Sequence, residues 1–391
     1  MTTTGERTPR RSRPDGRRPV VVLLGLIPAL LFGVPWWVLV AGGQAWPVGL
    51  LVAGTLLCAA GAVALPVLLV RGHGRRHRDA AARVADTLLG MVWMLFAWSV
   101  LGLLAEAVLA VGGIADPVRS RAVAAAVLGV VAVLAGYGLI EAWRVPRVRE
   151  RDVRLERLGP GLDGLRVVVL ADTHFGPIDR SRWSQRVVEV VNGLAPDVVV
   201  HAGDLADGFV AARERQVRPL ADVHAPLGRA YIPGNHEHFS GAAQWIDHMR
   251  ALGWSPLLNS HRVVERDGDR LVLAGIDDPT GASAGPGGGP DLPTALDGAD
   301  PALPVLLLAH QPRQVADAVT AGVDLQVSGH THGGQIWPFH LLVRTEQPVL
   351  AGLSRHGAHT QLYTSRGTGF WGPPLRVFAP SEITVLTLRR A

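Results

Sequence analysis

Long apolar stretches fill the first third of the chain, and short ones replace them afterwards. Four long stretches run over approximately 20–41, 48–70, 86–112 and 121–143. Each is close to the length of about 20 residues that a helix needs to cross a bilayer. Pro28 in the first stretch is tolerated in such helices. The pattern therefore predicts four transmembrane helices between residues 20 and 143.

Arginine-rich and arginine-poor segments alternate around these stretches. The tail 1–19, the loop between the second and third stretches and the segment after the fourth are rich in arginine, whereas 42–47 has none. Because positively charged loops tend to stay in the cytoplasm, we expect both chain ends on that face. One alternative is that Arg17-Arg18 belongs to a twin-arginine export signal, which would place the C-terminal region outside.

Beyond about residue 165 the apolar runs become short and rich in Val and Leu. Strands are predicted at 166–171, 197–201, 229–232, 271–276, 304–309 and 324–328, with helices at 181–193, 241–252 and 311–321. Near-continuous apolar runs indicate strands that helices cover on both faces. The chain thus divides into a basic tail 1–19, a membrane region 20–143, a basic linker 144–164 and an α/β domain 165–391.

Charge changes near the same boundary. Residues 1–154 hold 18 Arg and 9 Asp or Glu, whereas residues 155–391 hold 20 Arg and 24 Asp or Glu. The acidic balance of the second part argues against a nucleic-acid-binding domain, which needs a basic face. The single cysteine, Cys58, excludes an internal disulfide and a cysteine-based zinc site.

Side chains that bind metals well follow most of the predicted strands. In chain order they are Asp172, His174, Asp204, Asn235, His236, His310, His330 and His332. Ligands bind outside the carboxyl ends of strands in α/β sheets, so we expect these residues to converge there. Asp, Asn and His without thiolate suit manganese, iron or zinc. Two such cations about 3.5–4 Å apart can activate a shared oxygen for attack on phosphorus.

The order of these residues also carries a family resemblance. It reads D-x-H from Asp172, GD-x-x-D from Gly203, GNH-E from Gly234, a lone His310 and GH-T-H from Gly329. This set resembles the calcineurin-like metallophosphoesterase superfamily over about residues 165–390, which implies a four-layer α/β/β/α domain. The stretches GHTHGGQ at 329–335 and LYTSRGTG at 362–369 are similar to a bacterial, often membrane-linked subfamily. Some members of that subfamily cleave the pyrophosphate of UDP-2,3-diacylglucosamine, and others are assigned only as phosphoesterases.

The resemblance implies a role for each motif residue. One metal would be held by Asp172, His174 and His332, the other by Asn235, His310 and His330, and Asp204 would bridge both. His236 would face the substrate as a catalytic residue that stabilises the transition state or protonates the leaving oxygen. Apart from the resemblance, Asp207 is suited to orient a ligand, to cap a helix or to be solvated. Asp277-Asp278 would form a turn, and the Gly-rich segment 279–290 a loop.

Together these features predict a membrane-anchored enzyme with two divalent metal ions (Mn, Fe or Zn). It would hydrolyse a phosphate ester or pyrophosphate bond through a hydroxide that bridges the metals. Membrane attachment makes the bilayer a partner and suggests a phosphate-containing small molecule or a lipid-linked envelope precursor as substrate. The alternatives are a membrane sensor or transport-associated protein with a regulatory phosphoesterase domain, a nuclease and a protein phosphatase. Substrate, native metals and oligomeric state are left open.

Overall fold

The computed structural model describes residues 17–74, 78–284 and 288–391, with the backbone alone for residues 17–25 and Ala284. Most of the predicted tail 1–19, the loop arginines Arg75 and Arg76 and part of the predicted loop 279–290 lie outside the described residues.

Helices and strands follow one another along the described chain. The helices are α1 (Arg17–Trp36), α2 (Val48–His73), α3 (Asp79–Val111), α4 (Val118–Trp143), α5 (Ser181–Gly193), α6 (Val210–Val217), α7 (Asn235–Phe239), α8 (Ala242–Ala251), α9 (Leu292–Leu296), α10 (Val315–Thr320) and α11 (His340–Val343). The strands are β1 (Arg147–Leu155), β2 (Arg166–Leu170), β3 (Val198–Ala202), β4 (Arg229–Ile232), β5 (Ser255–Pro256), β6 (Ser260–Arg266), β7 (Asp269–Gly275), β8 (Val305–Leu308), β9 (Leu325–Ser328), β10 (Gly352–His356), β11 (Thr360–Thr364) and β12 (Glu382–Arg390).

Three helices of the described chain, α2, α3 and α4, are long and apolar enough to cross a membrane. The first predicted span is also helical. It consists of α1 and a π-helical turn over Trp37–Ala41, but its described apolar part, Leu26–Ala41, is shorter. The structure therefore supports a membrane region with three apolar helices of sufficient length, and the fourth span stays a prediction.

Small residues and aromatic rings bring the membrane helices together. The ring of Phe32 on α1 lies where a side chain on Gly61 of α2 would clash with it. Gly102 of α3 faces Val123 and Val127 of α4 in the same manner. Glycine in these positions allows close approach of helix backbones, the usual packing device of membrane helices.

The rest of the chain forms two six-stranded mixed sheets. Their strand orders are β1-β12-β2-β3-β4-β5 and β10-β11-β9-β8-β7-β6. In the first sheet β2, β3, β4 and β5 run parallel, and β12 is antiparallel to β2. In the second, β7, β8, β9 and β11 run parallel, with antiparallel partners at both edges. The six strands predicted from the sequence are the parallel strands β2, β3, β4, β7, β8 and β9.

The sheets pack face to face through buried aliphatic side chains. One cluster joins Val167 and Val200 of the first sheet to Leu273, Leu306 and Val327 of the second. A second cluster covers the outer face of the first sheet with α5 and α8, and a third covers the outer face of the second sheet with α9 and α10. The architecture is an α/β fold in which helices flank a pair of sheets.

The segment predicted as a basic linker contains a strand of the first sheet. Residues Arg147–Leu155 form β1 and pair in parallel with β12 along their whole length. Val153 and Leu155 near the end of this strand are buried in the core, and Arg154 between them is exposed. Only three residues separate α4 from β1, so the membrane region continues almost directly into the first sheet.

Candidate metal centre

The candidate site lies at the carboxyl ends of the parallel strands. The segments after β2 and β3 run side by side there, because Asp172 N donates to Gly203 O at 2.9 Å and His174 N donates to Asp204 O at 3.1 Å. Several of the predicted residues have a positive φ: 50° at Asp172, 42° at His174 and 52° at Asp204. The φ angle is also positive at His330, where it is 70°, and at His332, where it is 51°. Such backbone strain in side-chain-bearing residues concentrates at functional sites.

Asp172, His174 and His332 lie together and are called here the first cluster. Nε2 of His174 is 3.0 Å from Nε2 of His332, and both rings are buried. Asp172 is fully buried; its Oδ1 accepts a hydrogen bond from His330 N at 2.8 Å. Burial raises the pKa of Asp172 to about 6, because removal of the carboxylate from water disfavours its charge.

The second cluster consists of Asp204, Asn235, His310 and His330. Nδ1 of His330 is 3.1 Å from Oδ1 of Asn235, and Nε2 of His310 is 3.1 Å from Oδ2 of Asp204. His310 donates from Nδ1 to the carbonyl of Ala202 at 2.8 Å. That bond places a proton on Nδ1 of His310 and directs Nε2 into the cluster.

Asp204 lies between the two clusters. Its Oδ2 is 3.6 Å from Nε2 of His174 in the first cluster and 3.1 Å from Nε2 of His310 in the second. Its Oδ1 accepts a hydrogen bond from His236 N at 2.9 Å. One carboxylate thus faces ligand atoms of both groups, which is the geometry that a shared ligand requires.

Glycine is needed at two points where the backbone approaches the carboxylates. A side chain at Gly234 would clash with Oδ1 of Asp204, and one at Gly329 would lie 2.5 Å from Oδ2 of Asp172. These glycines let the segments after β4 and β9 come close to the acidic groups.

His236 stands at the edge of both clusters. Its Nδ1 is 2.7 Å from Oδ1 of Asp207, and the same oxygen is 2.9 Å from Nδ1 of His174. Burial works against protonation of His236, but the carboxylates of Asp204 and Asp207 raise its pKa to about 9. Asp207, for which the sequence left two roles open, thus orients two histidine rings.

A family model and several known proteins match this chain. A model of the calcineurin-like phosphoesterase family matches residues 165–334. A transmembrane protein with a metallophosphoesterase domain from Danio rerio is 40% identical over 270 residues, which cover 67% of this chain and 62% of that protein. An uncharacterized metallophosphoesterase of Helicobacter pylori is 36% identical over 265 residues, covering 67% of this chain and 70% of the relative.

A third relative is covered almost completely. The match to an uncharacterized metallophosphoesterase of Aquifex aeolicus is 31% identical over 261 residues, 66% of this chain and 98% of the relative. This chain belongs to the calcineurin-like metallophosphoesterase family. The predicted family is therefore confirmed.

Two buried atoms that lack hydrogen-bond partners make the residues of this metallophosphoesterase suitable for binding divalent cations. Oδ2 of Asp172 and Nε2 of His310 are buried without a hydrogen-bond partner among the described residues; the Nε2 contact with Asp204 is close but poorly aligned. A buried polar atom without a partner is costly. Carboxylate oxygens and neutral imidazole nitrogens are also the donors that transition metals bind. One of these two atoms belongs to each cluster.

Two further residues, Glu237 and Arg376, support the clusters without belonging to them. Glu237 is fully buried and accepts hydrogen bonds from the backbone N–H groups of Asp204 at 3.1 Å, Ala206 at 3.0 Å and Gly234 at 2.7 Å. Burial and the Asp204 carboxylate raise the pKa of Glu237 to about 7. The glutamate of the GNH-E motif thus joins the two loops that carry Asp204 and Asn235, a role that the sequence did not indicate.

Arg376 is the other supporting residue. Its guanidinium is fully buried and donates to the carbonyls of Gly369 and Ala379, while Nη2 is 3.2 Å from Nδ1 of His332. Burial lowers the pKa of Arg376 to about 10. Burial, His174 and Arg376 together lower the pKa of His332, which keeps this ring in the neutral form that binds metal.

Other candidates from the sequence have structural roles. Oδ1 of Asp277 is 2.7 Å from Nε2 of His238, and Oδ2 of Asp278 accepts from Gln311 at 2.8 Å. Both carboxylates therefore connect loops beside the site, and neither belongs to the two clusters.

Membrane helices contact this site directly, which the sequence did not predict. Arg213 donates through Nε to the carbonyl of Asp207 at 2.9 Å and through Nη1 and Nη2 to Asp79 of α3 at 2.8 and 2.6 Å. Arg376 N donates to the carbonyl of Gly138 in α4 at 3.0 Å. No local pattern in the sequence pairs residues that are so far apart along the chain.

Proposed function

We propose that this chain is a membrane-anchored phosphoesterase with two divalent cations, held by the first and second clusters and shared through Asp204. The observation that carries the proposal is the position of the Asp204 carboxylate, within 3.6 Å of a histidine nitrogen in each cluster. The cations, Mn, Fe or Zn, would supply Lewis-acid activation of water and neutralise charge on the phosphoryl group.

Protein side chains would complete the chemistry. His236 borders the cavity at the site, and Asp207 fixes its ring through Nδ1, so the opposite edge of the ring is available to the substrate. We propose that His236 donates a hydrogen bond to the phosphoryl or leaving oxygen, where charge develops in the transition state. Asp207 acts as a positioning residue for both His236 and His174.

The membrane arrangement belongs to the same proposal. The apolar helices and the arginine distribution favour a multi-pass protein with residues 20–143 in the membrane and the domain from residue 165 onward in the cytoplasm. The substrate would contain a phosphate ester or pyrophosphate bond, and the membrane helices favour a lipid-linked or envelope precursor. The relatives named as transmembrane proteins with a metallophosphoesterase domain support the membrane attachment.

The decisive experiment uses the full chain, stripped of metal by a chelator and reloaded with manganese, iron or zinc. Hydrolysis of p-nitrophenyl phosphate, bis-p-nitrophenyl phosphate and a nucleotide-sugar pyrophosphate is measured beside the bound metal. Asp204→Asn should lose activity by about 10³-fold, since electrostatic groups at the reacting centre contribute about 10²–10³-fold each and this one serves two cations. Asp247→Asn, whose carboxylate is 75% exposed on α8, is the matched control.

Two results would contradict the proposal. Hydrolysis that is unaffected by chelation would reject a metal enzyme. Wild-type activity in Asp204→Asn would reject the shared carboxylate. Binding of metal without hydrolysis of any of the substrates would favour the regulatory alternative.

A further inference from the structure

A cavity of about 950 Å³ opens directly from the two clusters. Its volume is near the upper end of the about 300–1,000 Å³ typical of small-molecule sites. At one end it is bordered by Asp204, Asn235, His236 and His330. Away from this polar end the walls become apolar, and a part of them comes from the membrane helices.

Helices α2 and α3 supply that apolar wall. Leu69 of α2 and Leu89 and Trp93 of α3 line it, facing Ile336 and Phe339 of the catalytic domain. The indole N–H of Trp93 donates to the carbonyl of Ile336 at 3.3 Å, and its ring meets Phe339 edge-on at 5.6 Å. The polar atom of Trp93 is therefore satisfied, and its rings remain as apolar surface.

The polar groups on the helical wall are bonded to each other. Nε2 of His73 at the end of α2 is 2.8 Å from Oδ1 of Asp86 in α3, and both line the cavity. Because His73 and Asp86 are hydrogen-bonded to each other, they do not require a polar ligand on that side of the cavity. The wall between Leu69 and Trp93 is thus suited to hydrocarbon.

The length of α3 places this wall at the membrane boundary. The helix has 33 residues, about 50 Å at 1.5 Å per residue, whereas the hydrocarbon core is about 30 Å thick. The first turns of α3 therefore extend beyond the core and lie beside the catalytic domain. The cavity is located where that extension meets the end of α2.

Apolar side chains are also exposed on the catalytic domain around the cavity. Phe239 is 65% exposed and Leu342 52%, and both line it, while Leu341 next to it is 58% exposed. Exposed apolar groups concentrated beside a binding site indicate contact with a membrane or another apolar partner. Their position next to the spanning helices favours the bilayer.

We propose that one hydrocarbon chain of a membrane-resident phosphoester lies in this cavity, between α2, α3 and the catalytic domain, with its phosphate at the two clusters. The membrane helices are then a part of the substrate site as well as an anchor. This inference rests on the proposed phosphoesterase function and adds the place and class of the non-reacting part of the substrate.

The test compares two phosphodiesters with the same leaving group, methyl and hexadecyl p-nitrophenyl phosphate. The full chain is reconstituted in phosphatidylcholine vesicles with manganese, and the ratio of kcat/KM for the hexadecyl and methyl esters is measured. Leu69→Trp and Leu89→Trp would fill the cavity from two different helices. Leu57→Trp, at a position of α2 that is 74% exposed, is the matched control.

We expect the ratio to fall in both cavity variants and to stay at the wild-type value in the control. Each buried methylene contributes about fourfold, so displacing two of them would lower the ratio by about tenfold or more. Because partition into the vesicle is the same for every variant, it cancels from the comparison. Methyl ester hydrolysis in the same samples reports whether each variant is folded.

Failure of the hydrocarbon site and failure of the proposed function would give different results. An unchanged ratio in both cavity variants, with the methyl ester still hydrolysed, would overturn the hydrocarbon site and leave the proposed function standing. An equal fall in the Leu57→Trp control would overturn it too, since the effect would not belong to the cavity. If the wild-type protein hydrolysed neither ester with any metal, the proposed function would fail first, and this inference with it.

Discussion

The two clusters offer similar ligands, but different parts of the molecule hold them in place. The second cluster is fixed within the sheets: His310 is bonded to Ala202 at the end of β3, and Glu237 binds the backbone of Asp204. The first cluster depends on Asp207, which binds His174, and on Arg376, which lies against His332.

The supports of the first cluster lead to the membrane helices. Arg213 connects the backbone of Asp207 to Asp79 of α3, and the backbone of Arg376 is bonded to Gly138 of α4. The difference indicates that contacts within the α/β domain alone position the second cluster. The position of the first cluster also depends on how that domain packs against the membrane helices.

The largest expected effect comes from removing one ligand of either cluster. His332→Ala and His310→Ala should each lower kcat/KM by more than the about 10–100-fold that loss of an outer-shell partner costs. Metal analysis should show two equivalents in the wild-type protein and one in each variant. His359→Ala, with a side chain 67% exposed, is the control. Two retained equivalents in either variant would contradict the assignment of that cluster.

Glu237→Gln tests whether the buried glutamate supports the second cluster alone. The glutamine keeps the shape but loses the charge that accepts three backbone N–H groups, so we expect kcat/KM to fall by about 10–100-fold. Manganese titration should show that one of two binding steps weakens. Glu189→Gln, on the exposed side of α5, should titrate like the wild-type protein. Equal weakening of both steps would mean that Glu237 supports the whole site.

The link from the membrane to the first cluster can be tested with a double-mutant cycle of Asp79→Asn and Arg213→Met. Each single change should weaken one manganese-binding step by about tenfold, at the lower end for outer partners. Because both act through one ion pair, the double variant should be no worse than Arg213→Met alone. Arg215→Met, 82% exposed on α6, is the control. Additive losses would show that the pair does not act as a unit.

Trp93→Phe is expected to have the smallest effect. It removes the hydrogen bond to the carbonyl of Ile336 and keeps an aromatic ring in place, which costs about 1 kcal/mol of stability. Thermal unfolding of the full chain in detergent measures the change, and Trp37→Phe, at a position 51% exposed in the membrane region, is the reference. Identical Tm values for the two variants would mean that this contact between α3 and the catalytic domain is energetically neutral.

The sequence predicted the parts of this molecule that depend on short-range patterns. Buried parallel strands are continuous apolar runs, and the residues after their carboxyl ends must meet at one edge, so Asp172, Asp204 and Asn235 could be brought together without coordinates. The family resemblance then assigned each of these residues to one or both of the expected metal ions.

Contacts between distant residues left no such pattern. Asp79 and Arg213, or Gly138 and Arg376, become neighbours only through the packing of helices on sheets. Edge strands were missed for a related reason: β1 is half exposed and arginine-rich, so its composition is typical of a linker, and its pairing with β12 is invisible along the chain. The positive φ values of the ligand residues likewise follow from tertiary contacts that hold the backbone there.

The passage from α4 into β1 has a mechanical consequence. With three residues between the helix and a strand paired over nine positions, the α/β domain is not attached through a flexible tether. In a bilayer, the edge of the sheets that carries the two clusters would stay at a constant height and tilt above the lipid, within one thin layer of the surroundings. Molecules confined to that layer meet the site at a high local concentration, whereas those in the bulk must first come to the surface.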